Sequence, residues 1–191
     1  CHVSIDKAGK NVLVANYGGG SCGVLPVRAD GSLAEMSSFQ QLTGQGGTPE
    51  KPIPPRGHSI NLSPDNHFAV CGDAGTDHVW IYKFDGEKGT LTPTEQAKVS
   101  PGPTAAPRHF AFHPSGKFAV LSCLDDSPRL VHQAYSHLAV IDLTSQPARM
   151  LYHLDVESLP EGMEFSPDGS QLFVGLTYAH RIVGYDVDGF R

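Results

Sequence analysis

The chain has 191 residues and a formal net charge of −6, with 39% hydrophobic and 18% charged residues. This composition is typical of a globular protein with its own core. The negative charge argues against nucleic acid as a partner, because phosphate binding requires a basic surface. No apolar run approaches the ~18 residues that a membrane-spanning helix needs.

The cysteines favour a reducing compartment. Cys1, Cys22, Cys71 and Cys123 are widely separated and form no CxxC pair, which predicts free thiols rather than disulfides or a zinc site. No secretory leader precedes the first strand pattern, so we expect a cytoplasmic location. A glycine-rich run at 44–47 is not followed by a helical pattern, which disfavours a phosphate-binding loop. We expect neither a metal nor a cofactor.

One pattern occurs four times along the chain: a short apolar strand, a turn and a second apolar strand. The turn residues are Gly9, Asn66, Gly116 and Gly169, spaced by 57, 50 and 53 residues. A period near fifty built from short strands is typical of β-propeller blades, with one four-stranded sheet per repeat. The sequence therefore predicts an all-β propeller.

The repeat divides residues 1–191 into four units of a single or partial propeller domain. The units are 1–47, 56–103, 104–146 and 148–191. Unit one contains strands 11–15 and 22–27 and a long loop at 42–57. Unit two contains 58–62, 67–71, 78–84 and 94–99, unit three contains 109–113, 118–123 and 137–143, and unit four contains an outer strand at 150–155 and another at 182–187. Four units are compatible with a whole small propeller, since rings of four to eight blades exist, but we expect them to belong to a larger ring. An open arc of four blades exposes sheet edges, so a second copy of the chain could complete it as a homo-oligomer.

Aligning the units on their turn residues predicts a polar ring at one mouth of the channel. The position eight residues before the turn holds Cys1, His58, Arg108 and Glu161, and the next position holds His2, Ser59, His109 and Gly162. The first strand of each blade lines the channel, so equivalent positions meet around one axis. The ring offers histidines for proton transfer and an arginine for anion binding. Alternatively, these groups only hydrogen-bond between neighbouring blades.

A second pair of polar residues ends the second strands. Asn16 and Asp73 both lie seven residues after the turn. They are candidates for substrate binding if they face the channel, and they equally suit the capping of the tight turns that follow. We assign no role to His67 and His113, which follow a turn pattern.

At these residues the chain resembles the propeller lactonase family, which comprises seven-bladed 6-phosphogluconolactonases and the fungal carboxymuconate cyclases. The resemblance is clearest over residues 1–126, and its carriers are the segments 1–4, 14–20, 57–65, 73–77 and 107–114. It implies a seven-bladed ring and a metal-free hydrolase that opens a sugar-acid lactone, with 6-phosphogluconolactone of the pentose phosphate pathway as the expected substrate. It also implies that His58 and Arg108 are the functional pair, which hold the lactone and stabilise the oxyanion. His2, Asn16, His109, Glu161 and Asp73 are the further substrate-binding candidates.

Two departures from the family pattern leave other functions open. Leu124 stands where the family has a glutamate, so that Asp125 or Asp126 would have to replace it, and Thr177 stands where a later blade has an arginine. One alternative is a non-catalytic propeller that binds a small anionic ligand or a protein. The other is a lactone-forming enzyme like the cyclases.

Overall fold

A computed structural model describes residues 1–124, 136–145 and 148–190 of the chain. These residues form four antiparallel sheets, each built from consecutive strands, and a small hairpin. The first blade contains β1 (His2–Ile5), β2 (Asn11–Asn16), β3 (Ser21–Pro26) and β4 (Ser38–Gln41), and the hairpin contains β5 (Gly46–Thr48) and β6 (Lys51–Ile53). The second blade contains β7 (Gly57–Leu62), β8 (Phe68–Asp73), β9 (His78–Asp85) and β10 (Thr90–Val99).

The remaining two blades differ in strand number. The third contains β11 (Pro107–Phe112), β12 (Phe118–Leu124), β13 (Ser136–Asp142) and β14 (Arg149–Val156), and the fourth contains β15 (Pro160–Phe165), β16 (Gln171–Leu176) and β17 (Arg181–Asp186) before a 3₁₀ turn at Val187–Phe190. The predicted all-β propeller is confirmed. Among the residues that the structure describes, no helix is long and apolar enough to cross a membrane.

Two strand assignments made from the sequence are wrong. The strand at 150–155, placed in unit four, is β14 and pairs with β13 as the outer strand of the third blade. An outer strand lies between two copies of the repeated pattern, so the repeat does not show to which blade it belongs. The loop expected at 42–57 contains the β5–β6 hairpin. Asp125 and Asp126 lie outside the described residues.

The turn between the first two strands has the same geometry in all four blades. Gly9, Asn66, Gly116 and Gly169 have φ values of 69°, 64°, 68° and 73°. In each case the backbone N–H donates to the carbonyl three residues earlier, at 2.8 or 2.9 Å. Glycine and asparagine tolerate this left-handed conformation better than other residues. The shared geometry explains why these positions mark the repeat.

The hydrophobic core lies between neighbouring blades. One cluster joins blades one and two around Leu13, Cys22, Ile60 and Tyr82. Equivalent clusters join blades two and three and blades three and four. The four cysteines are free, and all except Cys1 are buried. This packing aligns the innermost strands and so brings their first residues together.

Candidate functional site

A β-bulge occurs at the predicted ring position in blades two, three and four. The pairing of β7, β11 and β15 with the following strand shifts register around His58, Arg108–His109 and Glu161, respectively. Adjacent residues of a regular strand point to opposite faces, whereas a bulge changes where side chains point. The bulge in β11 accordingly allows Arg108 and His109, which are neighbours in sequence, to contact the same carboxylate.

Glu161 joins blades three and four at this position. Nη2 of Arg108 donates to Oε1 of Glu161 at 2.8 Å, and Nε2 of His109 donates to Oε2 at 2.8 Å. The hydrogen bond from His109, assisted by the charge of Arg108, lowers the pKa of Glu161. The carboxylate is therefore ionised at neutral pH and holds the Arg108 and His109 side chains in place.

His58 lies beside this ion pair and is 4% exposed. Its ring centroid is 5.0 Å from that of His109, with the two rings edge to face. Burial, followed by the charges of Arg108 and His109, lowers the pKa of His58 to about 4. Its Nδ1 has no hydrogen-bond partner among the described residues. At neutral pH His58 is thus an uncharged imidazole that can accept a proton.

His2 extends the cluster into the first blade. Its ring centroid lies 5.9 Å from that of His109, and its Nδ1 accepts a hydrogen bond from the backbone N–H of Ile60 at 3.3 Å. Burial and the neighbouring His109 lower the pKa of His2. The structure therefore brings five of the candidate residues close together: His2, His58, Arg108, His109 and Glu161.

Asn16 and Asp73 are the last residues of β2 and β8 and directly precede the turns. Nδ2 of Asn16 donates to Oγ of Ser21 at 3.2 Å. The carboxylate of Asp73 is fully buried and accepts hydrogen bonds from the backbone of Arg56, from Gly75, from Thr76 and from Nε1 of Trp80. These contacts are those of a turn-capping carboxylate, which is the alternative that the sequence left open.

Three residues that the sequence did not single out contact the cluster or the segments next to it. The ring of Tyr17 lies edge to face with His58 at 5.8 Å, and the guanidinium of Arg56 lies 4.8 Å from the centroid of Tyr17. The carboxylate of Asp77 accepts the backbone N–H groups of Thr104 at 3.0 Å and Ala106 at 2.8 Å, in the segment that leads to Arg108. Tyr17 lies within the glycine-rich segment 14–20, and Arg56 directly precedes the segment 57–65; these positions were the only sequence signal for them.

One atom from each of His58, His109 and Glu161 lies within 4.8 Å of the others, so the three could in principle hold a cation. Two histidines and a glutamate form a known zinc ligand set. Both oxygens of Glu161, however, already accept hydrogen bonds, and the Arg108 guanidinium adds a positive charge that opposes cation binding. The absence of a metal stays a prediction that metal analysis of the purified chain can test.

The fold and the cluster define a propeller in which the first strands of several blades bring polar side chains together at one site. The sequence model of the family described as "Lactonase, 7-bladed beta-propeller" matches residues 1–189. The chain belongs to this lactonase family.

Individual relatives agree with this assignment. The 6-phosphogluconolactonase of Bacillus subtilis is 40% identical over 119 residues, which cover 62% of this chain and 33% of that protein. The 6-phosphogluconolactonase of Pectobacterium atrosepticum is 29% identical over 182 residues, which cover 91% of this chain and 48% of that protein. The chain therefore spans about a third to a half of the length of these relatives.

A solved structure supports the fold. The periplasmic gluconolactonase PpgL of Pseudomonas aeruginosa superimposes with a TM-score of 0.61 at 23% identity, over 97% of this chain and 65% of that one. At this identity the likeness supports the propeller architecture alone.

Proposed function

We propose that the chain carries the active site of a lactonase that hydrolyses 6-phosphogluconolactone to 6-phosphogluconate. The observation that carries this proposal is the cluster of His58, Arg108, His109 and Glu161, in which a neutral imidazole lies beside an arginine fixed by a carboxylate. The names of the relatives provide the substrate class.

The chemistry requires a base and an oxyanion partner. A ring nitrogen of His58 takes a proton from water as the water oxygen adds to the lactone carbonyl. The Arg108 guanidinium stabilises the negative charge that develops on the carbonyl oxygen. When the tetrahedral intermediate collapses, the bond to the ring oxygen breaks and His58 returns the proton to that oxygen, which yields the open hydroxy acid.

Glu161 and His109 position these groups. The carboxylate holds the Arg108 guanidinium through Nη2. Because this pair uses only one of the five N–H donors of the guanidinium, the other donors at Nη1 and Nη2 can bind the substrate while the ion pair is kept.

Location and pathway follow from the proposed substrate. We propose a cytoplasmic enzyme of the pentose phosphate pathway that acts on a small lactone, with neither a nucleic acid nor a membrane as partner. Assembly into a homo-oligomer also stays a prediction. The solution mass of the purified chain tests it.

The parent chain is expected to hydrolyse 6-phosphogluconolactone faster than the spontaneous background. In Arg108→Lys the rate above background should fall about 10- to 100-fold, because lysine cannot reproduce the planar fork of the guanidinium. The test is acid release in a lightly buffered assay, with His67→Gln, which changes an exposed histidine on a turn, as the control. A folded parent chain without activity would contradict the proposal and favour the non-catalytic binder, whereas ring closure without hydrolysis would favour a cyclase-like enzyme.

The pH dependence reports on His58. We expect kcat/KM to be constant from about pH 5 to 7 and to fall below it with a midpoint near 4, because protonation of His58 removes the base. Measuring initial rates from pH 3.5 to 7 in parent and His58→Gln chains isolates this group from Glu161. A midpoint near 6.5 would contradict a buried, neutral His58.

A further inference from the structure

We infer that Arg56 forms a rigid anion-binding subsite beside His58, which binds the phosphate of the substrate. This inference rests on the proposed function, since it names the group that recognises the charged end of the lactone.

The backbone of Arg56 is held on both sides by the turn after β8. Its N–H donates to Oδ1 of Asp73 at 2.7 Å, and its carbonyl accepts the N–H of Ala74 at 3.0 Å. Asp73 is fully buried and is itself fixed by Thr76 and Trp80. The main chain at Arg56 is therefore part of a closed hydrogen-bond network.

Two glycines allow this arrangement. A Cβ atom on Gly75 would overlap the carbonyl oxygen of Pro54, and a Cβ on Gly20 would lie 2.5 Å from the carbonyl oxygen of Pro55. Only glycine permits such close backbone approach. The glycine-rich runs at 16–20 and 72–75 thus pack closely against the segment before His58. The hydrolytic mechanism proposed above does not require this packing.

The side chain of Arg56 is partly buried, and no carboxylate among the described residues neutralises its charge. Its guanidinium lies 4.8 Å from the centroid of Tyr17. Arg108, Arg149 and Arg181 each pair with a carboxylate, whereas Arg56 has no ion-pair partner among the described residues. Stacking on a tyrosine limits the motion of a guanidinium and leaves its edge donors available for an anion.

The position relative to His58 suits a phosphorylated sugar acid. Tyr17 contacts both groups: its ring centroid lies 5.8 Å from that of His58 and 4.8 Å from the Arg56 guanidinium. The distance from the Arg56 guanidinium to the His58 ring centroid is therefore at most the sum of these two distances. A six-carbon acid with a terminal phosphate can span that distance when its lactone carbonyl is at His58. A guanidinium binds a phosphate through two parallel hydrogen bonds, so we assign the phosphate to Arg56.

Calorimetric titration with the reaction product tests the subsite without turnover. We expect Arg56→Gln to weaken the binding of 6-phosphogluconate about 10- to 100-fold and to leave the weaker binding of gluconate unchanged. Arg56→Lys should retain part of the preference. Lys51→Ala, which removes an exposed charge from the neighbouring hairpin, should have little effect on either ligand.

The outcomes distinguish the subsite from the proposed activity. Equal weakening of both ligands in Arg56→Gln, an equal effect of Lys51→Ala, or no binding of 6-phosphogluconate to the parent chain would overturn the subsite. Lactone hydrolysis that is unaffected by Arg56→Gln at low substrate concentration would overturn it as well. Binding that depends on Arg56 in a folded chain without hydrolysis would support the subsite and contradict only the lactonase proposal.

Discussion

His58→Gln is expected to reduce kcat/KM for 6-phosphogluconolactone by about 10²- to 10⁴-fold, the range typical of a lost general base. Glutamine has a similar size and polarity but cannot accept a proton at neutral pH. The loss should appear mainly in kcat, because the side chain acts on water rather than on the charged end of the substrate. Stopped-flow measurement of acid release provides both constants.

His67→Gln is the matched control for this variant, since it makes the same change nine residues away in the same blade. Its kcat/KM should equal that of the parent chain. Circular dichroism and the thermal midpoint of both variants show whether the fold is retained. A His58→Gln chain that is folded and hydrolyses the lactone at the parent rate would remove His58 from the mechanism.

The fold could be predicted from the sequence because its repeat depends on local chemistry. The turn needs a residue that adopts positive φ, and Gly9, Asn66, Gly116 and Gly169 meet this need. Apolar strands on both sides of each turn indicate a buried sheet. The assignment of β14 failed because an outer strand joins its blade through long-range pairing with β13, for which the local sequence contains no signal.

The candidate site was predicted in part. Alignment on the turns placed His58, Arg108 and Glu161 at one ring position, and the structure pairs Arg108 with Glu161 there. The alignment did not show that a bulge in β11 directs His109 to the same carboxylate. A bulge is a change of one residue in pairing register and depends on both strands, so it could not be derived from one strand's sequence.

Arg56 illustrates a different limit. Its position depends on the close approach of two glycine-rich turns from different blades, which are separated by more than fifty residues in the chain. The sequence indicates that each turn is tight, but it does not show which segment lies between the two turns. Only the structure shows that both turns pack against the segment before His58.

The position of the carboxylate bears on the departures from the family pattern. Leu124, which occupies the expected glutamate position, ends β12 and pairs with Ser136. Glu161 comes instead from the next blade and contacts both Arg108 and His109. We propose that Glu161 performs the positioning role in this chain, which makes its removal the most informative second change.

Glu161→Gln is expected to lower kcat/KM by about 100-fold or more, because Arg108 loses the charge that fixes its guanidinium and the oxyanion loses an aligned partner. The free energy of unfolding should fall by about 1–2 kcal/mol, since two charge-assisted hydrogen bonds at a partly exposed site are lost. Glu161 also raises the pKa of His58 against the other influences. Its removal should therefore lower the pKa of His58 further.

The expected decrease in the pKa of His58 distinguishes a positioning role of Glu161 from a purely structural role. NMR titration of His58 in the parent and Glu161→Gln chains should show a lower midpoint in the variant, and the acid limb of kcat/KM should move in the same direction. Glu164→Gln, which makes the same change at an exposed position of the same strand, should alter neither the rate nor the His58 midpoint. If Glu161→Gln loses stability while its activity and the His58 titration stay unchanged, Glu161 only joins two blades, and the oxyanion partner must be held by another group.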